Sequence, residues 1–221
     1  MILAKPTKHG AGIEIFGDYH DLSDLHETIH RLADEQGPLD GGQEEFVLRL
    51  AYEVRHAYQG DRETHRFPAD ISHSETAIYY SFRELWPVFL MQLGLLRWAA
   101  GFRPTTRQHQ ANLFRLEACA EDALNSYDPF VGRRCLEWLE RFHGLSGKYH
   151  LQYIPNCSLQ YVTVGRPGKA RFKNLPEILR MMSPFSKECR EFEDYLEREA
   201  KEKGCQPGDL VDRGEWPDFK W

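Results

Sequence analysis

The chain has 221 residues with a formal net charge of −6, and 41% of its residues are hydrophobic. This hydrophobic content is enough for a sizeable core and excludes a chain that is disordered throughout. The acidic balance argues against nonspecific binding to nucleic-acid backbones or anionic membrane surfaces. Five cysteines stand singly, without a C-x-x-C pair, which favours a reducing, cytoplasmic compartment. No signal peptide is expected, because Lys5 and Pro6 end the short apolar start before an apolar core of a signal peptide could form.

The first third of the chain predicts a hairpin followed by two helices. Ile13 and Ile15 alternate with Glu14, which is typical of a half-buried strand, and residues 2–4 supply a second strand. Apolar residues at three- and four-residue spacing predict amphipathic helices. The predicted helices cover residues 21–35 and 43–59. Residues 61–75 are polar without a period and predict a long loop, followed by a short strand at 76–82.

The stretch from Leu85 to Phe102 is apolar on almost every side of a helix. It is nearly long enough to span a bilayer, but Arg97 lies inside it, and a central arginine costs about 2.5–3.5 kcal/mol on insertion scales. The stretch therefore predicts the buried central helix of a globular domain, over about residues 84–100. Two further helices are predicted, over residues 106–126 and 128–144.

From residue 149 the hydrophobic period changes. Two alternating stretches, separated by Pro155-Asn156-Cys157, predict a second hairpin over residues 149–164, with a third strand at 170–172. Helices are predicted at 176–182 and 186–203. The predicted fold is α+β: one mostly helical domain over residues 1–204 around the buried central helix. It includes a small, mainly antiparallel sheet built from the two hairpins.

The C-terminal segment, residues 205–221, is loop-like but carries Trp216, Phe219 and Trp221. A disordered tail seldom contains so much apolar surface. We therefore expect this segment to dock on the domain.

The one catalytic motif in the sequence is His26-Glu27-Thr28-Ile29-His30, an H-E-x-x-H string on a predicted helix. Histidines four residues apart share a helix face and can both bind zinc, while Glu27 could deprotonate a zinc-bound water. This interpretation makes the protein a zinc-dependent hydrolase resembling the zincin metallopeptidases. The third ligand would have to come from the next helix, which carries Glu44, Glu45 and Glu53. The alternative is a pair of half-exposed histidines that borders the apolar stripe of the helix.

A basic group between residues 166 and 173 is the candidate contact for an anion or a nucleic acid. Its members are Arg166, Lys169, Arg171 and Lys173. The alternative interpretation is the solvated tip of a hairpin.

Three segments resemble a family of uncharacterised bacterial proteins that is known as a domain of unknown function. The segments are Lys8–Leu22 (KHGAGIEIFGDYHDL), Leu85–Pro87 (LWP) and Glu117–Leu124 (EACAEDAL). They fall within about the first 145 residues. The resemblance implies a bacterial, cytoplasmic protein, but it implies no activity, cofactor or catalytic residue.

These observations lead to one functional hypothesis with two alternatives. The sequence favours a non-enzymatic binding or regulatory protein that recognises another macromolecule, with another protein as its partner. No cofactor and no catalytic residue is assigned under this hypothesis. The first alternative is the zinc hydrolase with His26 and His30 as metal ligands and Glu27 as base. The second is a nucleic-acid-binding accessory factor that uses the basic group.

Overall fold

The computed structural model describes residues 1–34, 37–70, 73–139, 141–142, 148–210 and 216–221; at residues 41, 68–70 and 73–76 it describes the backbone alone. Within these residues the chain is mostly helical and contains a four-stranded antiparallel sheet, which confirms the predicted α+β class. The elements in chain order are β1 (Leu3–Pro6), β2 (Gly12–Gly17), α1 (Tyr19–Ala33), α2 (Gly41–Tyr58), β3 (Glu63–Asp70), β4 (His73–Leu85), α3 (Trp86–Ala100), α4 (Arg107–Tyr127), α5 (Pro129–Leu139), α6 (His150–Thr163), α7 (Lys169–Lys173), α8 (Leu175–Met181) and α9 (Lys187–Lys203).

The sheet has the strand order β1-β2-β4-β3, with every neighbouring pair antiparallel. It is built from two hairpins, β1–β2 and β3–β4, which are joined by the pairing of β2 with β4. In this register Glu14 lies between Lys5 of β1 and Arg83 of β4. Residues that stand opposite each other on adjacent strands point to the same face. Ile15 and Phe82 therefore share the other, inner face.

The inner face of the sheet packs against the helical layer. Ile13 and Ile15 have no exposed surface, and Phe82 is 2% exposed. Helices α1, α3 and α4 contact β2, while α2 and α3 contact β4. The sheet is therefore held on the hydrophobic core by its apolar face, while its outer face carries polar and aromatic side chains.

Helix α3 is the centre of that core, as predicted. Its fully buried side chains point in all directions around the helix and include Trp86, Phe89, Leu90 and Leu93. It begins two residues later than predicted, because β4 continues to Leu85. Within the described residues, none of the helices combines the length and the apolar character that a bilayer crossing requires.

The second predicted hairpin, over residues 149–164, is wrong, because this segment forms helix α6. Its buried residues recur every three or four positions, which is the period of a helix that packs along one side. They are His150, Tyr153, Ile154, Cys157, Ser158, Tyr161 and Val162. Pro155, which suggested a turn, lies inside the helix on its exposed side. Its missing N–H therefore interrupts the helical hydrogen bonds on the solvent side and not in the core.

Two further local predictions are wrong. Residues 170–172, predicted as a strand, belong to the short helix α7. Residues 63–70, predicted as part of a long loop, form strand β3, and β4 is longer than the predicted strand at 76–82. The predicted end of the helix at Gly144 lies outside the described residues.

Candidate functional site on the outer face of the sheet

The H-E-x-x-H string lies on α1, which begins where the side chain of Asp18 accepts the backbone N–H of Asp21 at 2.9 Å. The rings of His26 and His30 stand on successive turns with centroids 4.4 Å apart. His26 is half-buried, whereas His30 and Glu27 are exposed. The two histidines thus border the buried stripe of α1.

Burial lowers the pKa of His26, and the nearby charges of His30 and Arg55 lower it further. A neutral imidazole is the form that binds metal. The rings of His26 and Tyr58 are nearly perpendicular, with centroids 5.9 Å apart. Among the described residues, no carboxylate, thiol or third imidazole joins His26 and His30 in a three-ligand group with its donor atoms within 4.8 Å of one another.

Two of the carboxylates considered as third ligand bind arginines instead. Glu53 accepts two hydrogen bonds from Arg62, at 2.8 and 2.9 Å. Glu45 accepts one from Arg49 at 3.0 Å. The zinc site proposed on α1 therefore has two ligands within the described part of the chain, whereas catalytic zinc sites use three.

The basic group divides into exposed and buried members. Arg166, Lys169 and Lys173 are exposed, but the side chain of Arg171 lies inside the molecule, with 2% of the residue exposed. Arg171 therefore cannot serve as the anion contact that the sequence suggested. The segment is also not a hairpin tip, since it consists of part of the turn after α6 and of helix α7.

Arg171 binds backbone carbonyl oxygens from three parts of the chain. It donates to Val162 at 3.1 Å, to Lys220 at 2.7 Å and to His9 at 3.5 Å. Burial lowers the pKa of this guanidinium. The side chain links the end of α6, the C-terminal segment and the β1–β2 turn, which is a structural role.

The last residues, 216–221, lie against the body of the domain. The backbone N–H of His9 donates to the carbonyl of Trp221 at 2.8 Å. Phe219 and Trp221 are partly buried against the core, and their rings are 5.1 Å apart. Trp221 also reaches a cleft beside the sheet, described below.

The outer face of the sheet contains a buried glutamate. Glu14, in the middle of β2, is 4% exposed although it points away from the helical layer. Its neighbours across the strands are both basic, with Lys5 Nζ 3.3 Å and Arg83 Nη2 3.6 Å from its carboxylate oxygens. The hydroxyl of Ser81 donates to Glu14 Oε1 at 3.2 Å. The carboxylate is thus covered by polar side chains from β1 and β4.

Strand β3 adds an imidazole and a second carboxylate. His65 Nε2 lies 2.9 Å from Ser81 Oγ, 3.9 Å from Glu14 Oε1 and 4.0 Å from Glu63 Oε2. Glu63 also forms an ion pair with Arg83, in which Arg83 Nη2 lies 2.7 Å from Glu63 Oε1. We call these residues the sheet cluster: Lys5, Glu14, Glu63, His65, Ser81 and Arg83.

The sheet cluster does not have the geometry of a catalytic serine triad. In a triad the acid binds the ring nitrogen that faces away from the serine. Here Glu14 and His65 Nε2 both meet the same hydroxyl of Ser81, which is 1% exposed. A nucleophile needs an accessible oxygen and an oriented base, and this hydroxyl has neither.

The sheet cluster does have the donor set of a metal site. One donor atom from each of Glu14, Glu63 and His65 lies within 4.8 Å of the other two. Carboxylate oxygens and imidazole nitrogen together suit divalent transition metals. Among the described residues, these three form the one group whose donor atoms are close enough to share a metal ion.

A cleft of about 320 Å³ opens beside the cluster. Strand β3 pairs with β4 only as far as Ser81, so residues 82–85 of β4 have no strand partner on that side among the described residues. The cleft lies along this part of β4. It is lined by Glu53, Arg62, Glu63, Ser81, Phe82, Arg83 and Trp221.

Sequence reasoning missed this site because two of its six residues, Glu63 and His65, fall in the predicted loop. Glu63 and His65 stand two residues apart, as same-face residues of a strand do, but polar residues occupy both faces there. The useful signal was the length of the polar run beside a predicted strand, which left room for a hairpin partner. Glu14 was visible between Ile13 and Ile15, but its burial depends on long side chains from other strands.

Comparison with known proteins places the chain in a family without assigning an activity. No curated protein and no solved structure matches it. A family model described as a domain of unknown function, DUF6904, matches residues 2–221. This match confirms the resemblance to a family of unknown function and extends it over nearly the whole chain. The chain belongs to the DUF6904 family.

Proposed function

We propose that the protein is a non-enzymatic binding module that recognises an extended segment of a partner protein along strand β3. The observation that carries this proposal is the position of β3 at the end of the sheet, with β4 as its one neighbour among the described strands. The other edge of such a strand presents backbone N–H and C=O groups, which a strand from a second protein can pair with.

The length of the β3–β4 hairpin supports the proposal. Strand β2 pairs with β4 from Tyr80 to Leu85, whereas the residues of β4 before Tyr80 pair with β3 alone. The hairpin therefore extends past β2 as a two-stranded ribbon. Two-stranded ribbons gain stability when a third strand or a packed surface is added.

Exposed apolar side chains lie on both faces of this ribbon. Phe67 is 48% exposed and Ile78 is 43% exposed. They point to opposite faces, because Phe67 stands opposite Ala77 while Ile78 stands opposite Arg66. Strand addition typically combines main-chain pairing with contacts to the alternate side chains of the added strand, which point to its two faces. Phe67 and Ile78 supply one apolar contact on each face. Pro68 lies within the strand but has no backbone N–H to donate, so the proposed pairing segment is residues 63–67.

Site-specific photo-crosslinking in the native cell tests this proposal. A photo-reactive residue replaces Thr64 or Phe67, which are exposed on the two faces of β3, or Phe130 as a control that is 73% exposed on α5. We expect both β3 positions to crosslink to the same partner protein and the control position to crosslink to none. Crosslinking at the control position alone, or between two copies of this chain, would contradict the proposal.

A matched pair of substitutions measures the energetic contribution. Phe67→Glu should reduce the recovered partner about tenfold or more, because a charge replaces an exposed apolar contact of the pairing segment. Phe130→Glu should leave recovery unchanged. Equal losses for the two variants would show that recognition does not use β3.

The cysteines bear on the proposed location of the protein. Cys119, Cys135, Cys157 and Cys189 are buried free thiols, and Cys205 is a half-buried one. Unpaired thiols persist in reducing compartments, which supports a cytoplasmic location. The bacterial origin implied by the resemblance stays a prediction.

A further inference from the structure

We propose that Glu14, Glu63 and His65 bind a divalent transition-metal ion on the outer face of the sheet. The proposal concerns the side chains of this face and does not depend on strand addition at β3. It rests on the distances between the three donors and on the ease with which neighbouring cations can leave. It also rests on the cleft that gives an ion access from solvent.

The donor atoms are already close to the separation that a metal requires. His65 Nε2 is 3.9 Å from Glu14 Oε1 and 4.0 Å from Glu63 Oε2. Two ligands bound tetrahedrally at about 2.1 Å from one zinc ion lie about 3.4 Å apart. Each donor therefore needs to move by about half an ångström, which small side-chain rotations provide.

Ser81 orients the carboxylate of Glu14. It lies on β4, between the strands that carry Glu14 and His65, and donates to Glu14 Oε1 at 3.2 Å. On metal binding, His65 Nε2 would exchange its 2.9 Å contact with Ser81 for the ion. The hydroxyl would continue to donate to the carboxylate, as hydrogen-bond donors around metal-bound carboxylates commonly do.

Arg83 and Lys5 neutralise the carboxylates when no ion is bound. Arg83 Nη2 lies 2.7 Å from Glu63 and 3.6 Å from Glu14, which is the place of a bridging cation. The side chains of Arg83 and Lys5 are 35% and 58% exposed, so both can turn towards solvent. The Arg83–Glu63 ion pair is solvated at both ends and contributes little to stability, so a divalent ion held by three ligands can replace it. Arg83 therefore acts as an internal competitor of the metal.

The cleft supplies the remaining coordination positions. Three members of the sheet cluster also line the cleft of about 320 Å³: Glu63, Ser81 and Arg83. Water can therefore reach the ion from the side that Arg83 now occupies. An imidazole among the ligands favours zinc, cobalt or nickel over magnesium or calcium.

Metal titration of the full-length, untagged chain, first dialysed against a chelator, tests the proposal. Zn²⁺ binding is measured by calorimetry and Co²⁺ binding by visible absorbance, with Mg²⁺ as a comparison. We expect one Zn²⁺ per chain with micromolar or tighter affinity, and no heat with Mg²⁺. His65→Gln and Glu63→Gln should each weaken Zn²⁺ binding about 100-fold or more. Absence of Zn²⁺ and Co²⁺ binding by the wild-type chain would overturn the proposal.

A variant that binds Zn²⁺ more tightly shows that the weaker binding of the other variants comes from the lost ligand and not from misfolding. Arg83→Gln removes the competing charge and should tighten Zn²⁺ binding by about three- to tenfold, which a misfolded variant cannot do. The double variant His26→Gln, His30→Gln removes the other pair of neighbouring imidazoles and should leave the affinity unchanged. Loss of binding in this double variant, with binding retained in His65→Gln, would place the ion on α1 and overturn the proposal.

Discussion

Glu14 and Glu84 lie on opposite faces of the sheet, and their carboxylates are covered in different ways. Glu14, on the outer face, lies within 4 Å of Lys5 and Arg83 and accepts the hydroxyl of Ser81. Glu84 stands opposite Ile13, so it points to the inner side. Within the described residues its hydrogen bond is to the backbone N–H of Leu85, at 2.9 Å.

The electrostatic consequence differs between the two faces. Burial raises the pKa of Glu84 to about 7; the backbone N–H of Leu85 opposes the rise, the charge of Glu53 adds to it and that of Arg49 opposes it. Glu14 instead has two cationic neighbours, Lys5 and Arg83, in the same layer of side chains. Long basic side chains supply opposite charge to the carboxylate that they cover, whereas burial without a hydrogen-bonded cation favours the protonated form of a carboxylate.

The largest expected difference between the two faces concerns their phenylalanines. Phe82→Ala, on the inner face, should lower the free energy of unfolding by about 3–4 kcal/mol, because it leaves a cavity in the packed core. Phe16→Ala, on the outer face, should cost about 1–2 kcal/mol. Phe16 is covered by Lys5, 4.6 Å above its ring, and by the ring of His65, both of which can close over the space. Chemical denaturation of the two variants measures both values.

Equal losses for the two phenylalanines would contradict the comparison. They would mean that the outer face is packed as tightly as the core and is not an adaptable layer of side chains. The metal proposed on this face would then lack the freedom of movement that Lys5 and Arg83 are expected to supply.

The next effect concerns the charge of Glu14. Glu14→Gln should lower the free energy of unfolding by about 1–2 kcal/mol, because Lys5 and Arg83 lose a partner that is itself buried. The loss should shrink when salt is added, since the two cations are partly solvated. Denaturation at low and high ionic strength measures it. A loss that does not change with salt would show that the amide disturbs packing instead.

The fold could be predicted where the hydrophobic period matched one structure. Helix α1 and the strand around Ile13 follow this rule, and both were predicted within a few residues. The prediction for the α6 segment was wrong because Pro155 and the alternating large residues are typical of a hairpin. Yet its buried positions, such as Tyr153, Cys157 and Tyr161, are spaced as in a helix. Local patterns allowed both structures, and the packing of α6 on the core decided between them.

The candidate site was harder to predict than the fold. Its donors come from β2 and β3, which are separated in sequence by two helices and in space by β4. A motif search finds residues that are close along the chain, such as His26 and His30. It does not find Glu14 and His65, whose proximity is set by strand register. The register depends on long-range pairing, which the sequence alone does not specify.

The smallest expected effect is the pH dependence that Glu84 confers. Its pKa is 4.5 in the unfolded chain and about 7 in the folded protein, so the folded state binds the proton more tightly. The stability linked to this proton is fully present below pH 4.5 and is lost as the pH rises through 7. A shift of this size corresponds to about 3 kcal/mol at most. The side chain keeps some contact with solvent, which reduces the expected loss to about 1 kcal/mol.

Glu84→Gln should remove this loss. The variant should be more stable than the wild type by about 1 kcal/mol at pH 8, and the difference should close as the pH falls towards 4.5. Thermal or chemical unfolding across this range measures the difference, with Glu191→Gln on the exposed side of α9 as a control that keeps the wild-type slope. The sign is opposite to that for Glu14→Gln at neutral pH. A variant that is less stable than the wild type at pH 8 would show that Glu84 has a cationic partner, and the two faces would then cover their carboxylates in the same way.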